Sequence, residues 1–490
     1  MPWAGWSRHG GDSASHNAPY ATPRGSGPLP TATLPILTPH SVTAPPAQDP
    51  ARDPIAYVRA HAPWLCAPEL GALVVGSQAL AIACEREGIA GPQPKDLDFA
   101  WALAPEEGRA LLESHRAFVP TTTGSVDRGT LALRIGDLRC EITTLRDSDA
   151  SMPLAMRIER DLRARDMTCG AVALSLHDGA IHDPCGGVAD WRARRVAACG
   201  DAEQRVREHP IRWLRYFRKA REWGFDVDSK IRKLRLPLSV FDSLPKEAIA
   251  LELRAALLHC ASPGRFFLDL FEVGLLDRLL PELALQFDGR PAGPQRWHPE
   301  ISQSLHIILA LEWAVQHAQG LDERDRLAVL IAVLCHDLGK GYTRPSDLPS
   351  HPGHEHTGLA PLSAMLDRWP GLADARARSL AQKVCELHQL ARRLEELRHG
   401  TLASLYDTAF RGKDAQLELF ALAVAADAAG RLGEEGCGEP TRVKVLEDLR
   451  RLCACCESVD AGALRQQFAD LDAFKAALHE ARARAVAAGF

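Results

Sequence analysis

Apolar and polar positions along the chain change period several times, and each change predicts an element. Leu73-Val74-Val75 is a short apolar run ending at Gly76-Ser77, and Gln78 to Glu87 follows with helical spacing. A polar loop, Gly91 to Lys95, leads into a strand-like Asp96-Leu97-Asp98-Phe99-Ala100-Trp101. Residues 130–135 and 139–145 alternate or run apolar on either side of Gly136-Asp137, which predicts a hairpin. This mixed, strand-rich pattern begins near Pro54 and extends to about residue 190.

From residue 200 onward the period is helical almost throughout. Ile211, Leu214, Phe217 and Phe225 recur near helical spacing, beside a basic face of Arg212, Arg215, Arg218, Lys219 and Arg221. A Pro/Gly-rich break, Phe287 to Pro294, marks a boundary, a second helical block runs from about 298 to 435, and a last one reaches 490. No internal repeat is found. Residues 1–50 are rich in Pro, Ser, Thr, Ala and Gly with no helix or strand period, and read as a disordered extension. The expected architecture is α+β and multidomain: a small mixed-sheet head over 51–195, a helical neck and body over 196–290, an all-helical unit over 291–440 and a helical tail over 441–490.

Composition narrows the class of protein. At 490 residues, 46% apolar and 25% charged, the chain is long enough for about three globular domains, and wholesale disorder is excluded. A formal charge of −5 excludes a uniformly basic nucleic-acid coat, but 58 Lys and Arg among 63 Asp and Glu leave room for a local basic groove. No apolar run reaches the roughly 20 residues of a membrane helix, and no charged start followed by an apolar core opens the chain. A cytoplasmic protein without membrane association is expected. Thirteen scattered cysteines suggest a reducing compartment and no disulfides. Cys84, Cys140, Cys169, Cys185 and Cys335 lie in apolar surroundings and read as small core residues, while Cys453, Cys455 and Cys456 face no second pair at metal-like spacing.

Two constellations carry chemistry. In a strand, residues two apart share a face, so Asp96 and Asp98 would present paired carboxylates, hard oxygen ligands suited to Mg²⁺ held with substrate phosphates. Glu141, on a neighbouring predicted strand, offers a third. Two such metals could activate an attacking hydroxyl and stabilise a leaving pyrophosphate. The Gly76-Ser77 turn before a helix offers backbone N–H groups to a triphosphate.

The second constellation centres on His336-Asp337, at the end of an apolar helix, where adjacent side chains can both turn to a metal. His306, His354, His388 and Asp427 are further candidates, and imidazoles with carboxylates suit Mn, Fe, Ni, Co or Zn.

These residues resemble two families. Gly76-Ser77 with Asp96-x-Asp98 is similar to the head of the polymerase-beta-like nucleotidyltransferases, and the continuation resembles the bacterial CCA-adding enzymes, the tRNA nucleotidyltransferases. Glu141 to Arg146 looks like that family's third-carboxylate strand. Asp161 to Thr168 resembles its "DLxRRDxT" segment, Asp183 to Asp190 its "DPxGGxxDL", and Glu208 to Arg215 its "EDPLRxLR". Trp297-His298-Pro299-Glu300 matches the family's join to a C-terminal HD domain, and the order H…HD…H…H…D resembles the HD phosphohydrolases.

The resemblance implies a nucleotidyltransferase head followed by a helical neck and an HD domain. Asp96 and Asp98 would bind Mg²⁺ with Glu141 assisting. Gly76, Ser77, Arg165, Asp166, Glu208, His209, Arg212, Arg215 and Arg218 would hold the incoming nucleotide. The implied partners are a tRNA or other RNA 3′ end, CTP and ATP, and the implied assembly is a monomer or homodimer. At the HD site, His306, His336, Asp337, His354, His388 and Asp427 would hold a transition metal for phosphatase and 2′,3′-cyclic phosphodiesterase chemistry, with Lys340 beside the phosphate.

Three departures bear on specificity. Leu80 stands where the family carries an arginine, Gly170 where it carries an asparagine, and His209 where it carries the aspartate that, with the counterpart of Arg212, reads the incoming base. An ionised Asp only accepts hydrogen bonds, whereas a neutral His donates one and accepts one. A paralogue adding other nucleotides or acting on another RNA, and an HD phosphohydrolase with a non-catalytic RNA-binding head, are therefore the alternatives. A pure RNA-binding scaffold would need neither carboxylate cluster.

Overall fold

A computed structural model describes residues 52–94, 96–120, 129–146, 151–412 and 414–490. The proline-rich extension at 1–50 and Lys95 at the end of the polar loop lie outside the described residues.

The head is built on one seven-stranded sheet. Its strands are β1 (Leu73–Val75), β2 (Asp98–Trp101), β3 (Phe118–Val119), β4 (Thr130–Ile135), β5 (Leu138–Thr144), β6 (Ala173–Ser175) and β7 (Ile181–His182), in the spatial order β3-β4-β5-β2-β1-β6-β7. All neighbours are antiparallel except β2 and β5. The β4–β5 hairpin turns at Gly136 as the alternation predicts.

The sheet is covered on both faces, and the period of two sorts its side chains. Val74, Phe99, Trp101 and Ile142 join one core with Leu80 and Ala83 of the Ser77–Arg86 helix. Leu73, Val75 and Ala100 join another with Ile158 and Leu162 of the Leu154–Arg163 helix. Leu80, standing where an arginine was expected to touch nucleotide, is 1% exposed and belongs to the first core.

Two short strands, β8 (Arg195–Val196) and β9 (Asp226–Val227), pair beside the neck. Beyond them the described chain is helical and shares one continuous apolar core from Met167 to Val486. Its centre is the Glu323–Cys335 helix, capped by Asp322, whose carboxylate accepts from the Asp325 N–H at 2.8 Å. Leu327 to Cys335 are all buried, so past its charged first turn this helix is apolar all round, as an interior helix must be. The Gln303–His317 helix begins five residues later than the sequence pattern suggests, because residues 288–302 form an irregular turn capped by Ser302. Among the described residues no helix is long and apolar enough to cross a membrane. Cys84, Cys140, Cys169 and Cys335 are buried as expected, but Cys185 is only partly so.

Candidate functional sites: a carboxylate cleft and a histidine cage

β2 begins at Asp98, and Asp96 lies in the coil just before it rather than on the strand. The alternation persists into the coil: Leu97 packs on the head core while Asp96 and Asp98 face outward. Parallel pairing sets Asp98 in register with Glu141 on β5, and antiparallel pairing sets Val75, the end of β1, against Asp98. Gly76 follows Val75 with a φ of +74°, a backbone conformation that favours glycine, and exposed Ser77 starts the next helix.

These residues open on a cleft of about 250 Å³ lined by Asp98, Glu141, Thr143, Arg146, Asp161 and Arg165, among others. Partial burial raises the Asp98 pKa above its ordinary value, and the charges of Asp96 and Glu141 raise it further, against the pull of Arg165. A carboxylate pressed by two others is relieved by a cation, so the donor set fits a hard divalent metal.

Arg165 does not stand free. Its Nε and Nη2 both donate to Asp161 Oδ2 at 3.3 Å, and its Nη1 donates to the Gly170 carbonyl at 3.3 Å. Asp161 also accepts from the Arg146 backbone N–H at 3.2 Å. Asp161 and Arg146 were not singled out from the sequence, although the i, i+4 spacing of Asp161 and Arg165 was a signal.

The Ile211–Trp223 helix brings the remaining candidates to this edge. Arg215 donates through Nη1 to Asp166 at 3.0 Å and through Nε to Glu252 at 3.0 Å. Arg218, three residues on, donates to the other Glu252 oxygen at 2.6 Å and to Glu222 at 2.8 Å. Arg218 is 8% exposed, so it fixes Glu252 instead of opening toward the cleft. Arg212 is buried, held by Glu208 at 3.0 Å and the Ala164 carbonyl at 3.2 Å. His209 ends the Ala202–Glu208 helix, exposed. Partial burial lowers its pKa, and the charges of Arg212, Arg146 and Arg215 act in the same direction, so it is neutral at pH 7.

The second site gathers all six residues that the sequence nominated. His336 follows the Glu323–Cys335 helix, and Asp337 turns off at its end. Asp337 Oδ2 lies 3.1 Å from His336 Nε2 and 3.6 Å from His306 Nε2, while Oδ1 lies 3.1 Å from His354 Nε2 and 3.7 Å from His388 Nε2. Asp427 Oδ1 is 3.3 Å from His306 Nε2 and 3.7 Å from His336 Nε2.

The four imidazoles turn the same nitrogen inward. Their Nδ1 atoms face backbone carbonyls: Gly430 for His306, Val333 for His336, His351 for His354, and Val384 for His388, at 2.7–3.1 Å. With Nδ1 bonded outward, Nε2 is the nitrogen each ring turns inward, the orientation metal-ligating histidines adopt. Burial opposes ionisation of Asp337, but His336 and Lys340 hold it well below the usual carboxylate range. Lys340 Nζ is 2.7 Å from Asp337 and donates to the Ala292 carbonyl at 2.7 Å. Two three-ligand groups share Asp337, His306-His336-Asp337 and Asp337-His354-His388, so nitrogen and oxygen donors fit one or two transition-metal ions.

Gly339 is what lets the cage close. A Cβ there would stand 1.9 Å from the His354 carbonyl oxygen. Gly339→Ala is expected to force apart the two turns that carry Asp337 and His354, costing about 3 kcal/mol or more. The checks are a lowered melting temperature and weaker Mn²⁺ binding by calorimetry.

The fold and the carboxylate cleft together define a nucleotidyltransferase head, and residues 83–197 match the Poly A polymerase head domain. The chain is 36% identical over 337 residues to the multifunctional CCA protein of Methylococcus capsulatus, covering 67% of this chain and 75% of that one. It is 37% identical over 343 residues to that of Alkalilimnicola ehrlichii, covering 68% and 77%. The chain belongs to the multifunctional CCA protein family. Its fold is also similar to a CCA-adding enzyme in complex with ATP (TM-score 0.56, 15% identity, 89% of each chain). The Bacillus stearothermophilus CCA-adding enzyme in complex with CTP is similar too (TM-score 0.50, 20% identity, 90% of this chain and 93% of that one).

Proposed function

We propose that the chain is a template-independent RNA nucleotidyltransferase that adds C and A to the 3′ end of tRNA, using CTP and ATP. The observation that carries this is the register of Asp98 against Glu141, with Asp96 two residues upstream, over a cleft edged by arginines. Names and folds of the relatives support it. In this reading the head spans 51–195, the neck 196–290, the HD unit 291–440 and the tail 441–490, and the protein acts in the cytoplasm.

Asp96 and Asp98 would hold Mg²⁺, which lowers the cost of charge on the attacking 3′-hydroxyl and on the departing pyrophosphate when bound. The oxygen of that hydroxyl, its proton passing to solvent, would bond to the α-phosphorus as the bond to the β,γ-pyrophosphate breaks. Glu141 keeps the carboxylate field at Asp98 strong. Gly76 and Ser77 offer N–H and hydroxyl donors to the triphosphate. Arg165 and Arg215, each pre-set by a carboxylate, present guanidinium edges to the nucleotide. Arg218 acts through Glu252 as a positioning residue.

Incubation with Mg²⁺, one NTP at a time, and tRNA transcripts ending before CCA, after C and after CC tests the reading. Incorporation of C, C and then A is expected; another base, or none, overturns it. His209 favours a variation within this reading, because a neutral imidazole offers the base one donor and one acceptor where a carboxylate offers acceptors only. His209→Asp is therefore expected to change the preference among the four NTPs by about tenfold. The wild-type preference should stay flat from pH 7 to 8.5 and move only as pH falls through the lowered His209 pKa.

The histidine cage supports a second activity, metal-dependent hydrolysis of phosphoesters, including 2′,3′-cyclic phosphates. The six ligands would hold Mn, Ni, Co, Fe or Zn, which supplies a nucleophilic hydroxide at neutral pH. Water adds to phosphorus, a P–O bond of the cyclic ester breaks, and the leaving ribose oxygen takes a proton. Lys340 holds Asp337 ionised and in place.

A further inference from the structure

A carboxylate stands behind the histidine cage that the six metal candidates do not include. Glu300 is 3% exposed, and its Oε1 lies 2.7 Å from His298 Nδ1 and 3.2 Å from His306 Nδ1. Its Oε2 is buried with no hydrogen-bond partner among the described residues. A carboxylate taken out of water with one oxygen unmatched is costly, so stability alone does not explain its position.

The backbone is strained to place it there. Ile301 has a φ of +66°, a conformation that a β-branched residue holds only where its surroundings impose it. The Ile301 side chain is 62% exposed, so its own packing does not offset that strain. Backbone bonds fix the turn. The Ala292 N–H donates to the Ile301 carbonyl at 2.8 Å, the Ile301 N–H to the His298 carbonyl at 3.1 Å, and the Ser302 N–H to the Glu300 carbonyl at 2.7 Å. Gly293 leaves room for the His298 ring: a Cβ there would stand 2.3 Å from its Cδ2.

His306 is the cage imidazole that this carboxylate backs. Its Nδ1 faces two acceptors, Glu300 and the Gly430 carbonyl at 3.1 Å. That nitrogen therefore carries a proton, and Nε2 is the one presented to His336 Nε2, Asp427 Oδ1 and Asp337 Oδ2, at 3.2, 3.3 and 3.6 Å. His336 and His388 turn Nδ1 to backbone carbonyls, and the Glu355 carboxylate 3.4 Å from His354 Nδ1 is partly exposed to water. A buried anion behind a ligating imidazole fixes its ring and makes its inward nitrogen a stronger donor.

We propose that Glu300 is a positioning residue of the cage: aimed by the turn at Ile301, its carboxylate fixes the His306 ring and strengthens that imidazole as a ligand for a divalent transition metal. Glu300 touches neither metal nor substrate and acts through His306. The inference rests on the reading of the cage as a metal site.

The test titrates full-length protein, stripped of metal by a chelator, with Mn²⁺ by calorimetry, and reads its Co²⁺ complex by visible absorption. Glu300→Gln keeps the shape and one acceptor but removes the charge. It should weaken Mn²⁺ binding about tenfold and shift the Co²⁺ bands, and Glu300→Ala should weaken binding about a hundredfold. Nucleotide incorporation should be unchanged in both and reports an intact chain. A strut without a role toward the metal would lower the melting temperature and leave the Mn²⁺ affinity and Co²⁺ spectrum of Glu300→Gln as in the wild type, and that result overturns the proposal. In a His306→Ala background the further loss from Glu300→Gln should fall below about twofold, because the partner it acts through is gone. An undiminished loss there overturns action through His306. A wild type that binds neither Mn²⁺ nor Co²⁺ overturns the metal reading and this proposal together. Metal binding without hydrolysis of any phosphoester overturns the phosphohydrolase reading alone, and the affinity comparison still decides the role of Glu300.

Discussion

Asp98→Asn is expected to lower nucleotide incorporation by about a thousandfold, or about 4 kcal/mol of transition-state stabilisation. The substitution keeps the shape of the side chain and removes its charge at the point where β1, β2 and β5 meet. Burial and the neighbouring charges of Asp96 and Glu141 already press on this carboxylate, and neutralising it relieves that repulsion. The fold should therefore be unharmed, and the melting temperature equal to or above that of the wild type. Loss of incorporation with an unchanged phosphohydrolase activity is the signature of a head-specific defect. The raised pKa also predicts that protons compete with Mg²⁺ at Asp98: the apparent Mg²⁺ requirement should increase as pH falls toward the carboxylate range. A variant that still incorporates nucleotide at a tenth of the wild-type rate or better would remove Asp98 from the catalytic set.

On the proposed phosphohydrolase reading, replacing His388 or Asp337 of the cage is expected to cost that activity at least a hundredfold while nucleotide addition persists. The two changes should differ in stability. Asp337 faces the buried Lys340 ammonium at 2.7 Å, and breaking a buried pair by removing one partner costs about 3–5 kcal/mol. Asp337→Ala should therefore melt well below the wild type. His388→Gln strands no buried cation and should melt close to it. Its imidazole pKa, pushed down to about 4 by burial, says that it is neutral in the folded protein and able to bind metal at physiological pH. Phosphatase assays with added Mn²⁺ or Ni²⁺, read beside the melting curves, separate lost chemistry from lost folding. Retained hydrolysis in His388→Gln would exclude that histidine from the metal set.

What the sequence reveals about these sites follows from how local their causes are. The run at Leu73–Val75, the turn at Gly76 and the hairpin at Gly136 are short-range effects of residue type and alternation, and all are found where the pattern puts them. The six cage residues could be nominated because their order and the apolar helix before His336 carry the signal. Long-range partners were not legible. Glu252 lies 37 residues from Arg215, and nothing in its surroundings announces that it will anchor both Arg215 and Arg218. For that reason the sequence reading of Arg218 as a nucleotide contact does not include its burial against Glu252. Asp96 was taken as part of the strand, but β2 starts only at Asp98, where its pairing with both β1 and β5 begins. Glu300 reads only as part of a motif at a domain join, since its place behind His306 depends on the strained turn at Ile301.

The pairing of β2 with β5 is the one parallel contact among the described strands of the head. A hairpin can zip from its turn, but a parallel pair closes only after the intervening chain has looped back across the sheet. Asp98 and Glu141 sit on opposite sides of that closure. The Gly136 hairpin and the Ser77–Arg86 helix can form in a nascent chain that has not yet set Glu141 beside Asp98. The complete three-carboxylate cleft is thus assembled late in maturation, and a partly folded head should be inert toward nucleotides rather than indiscriminate with them.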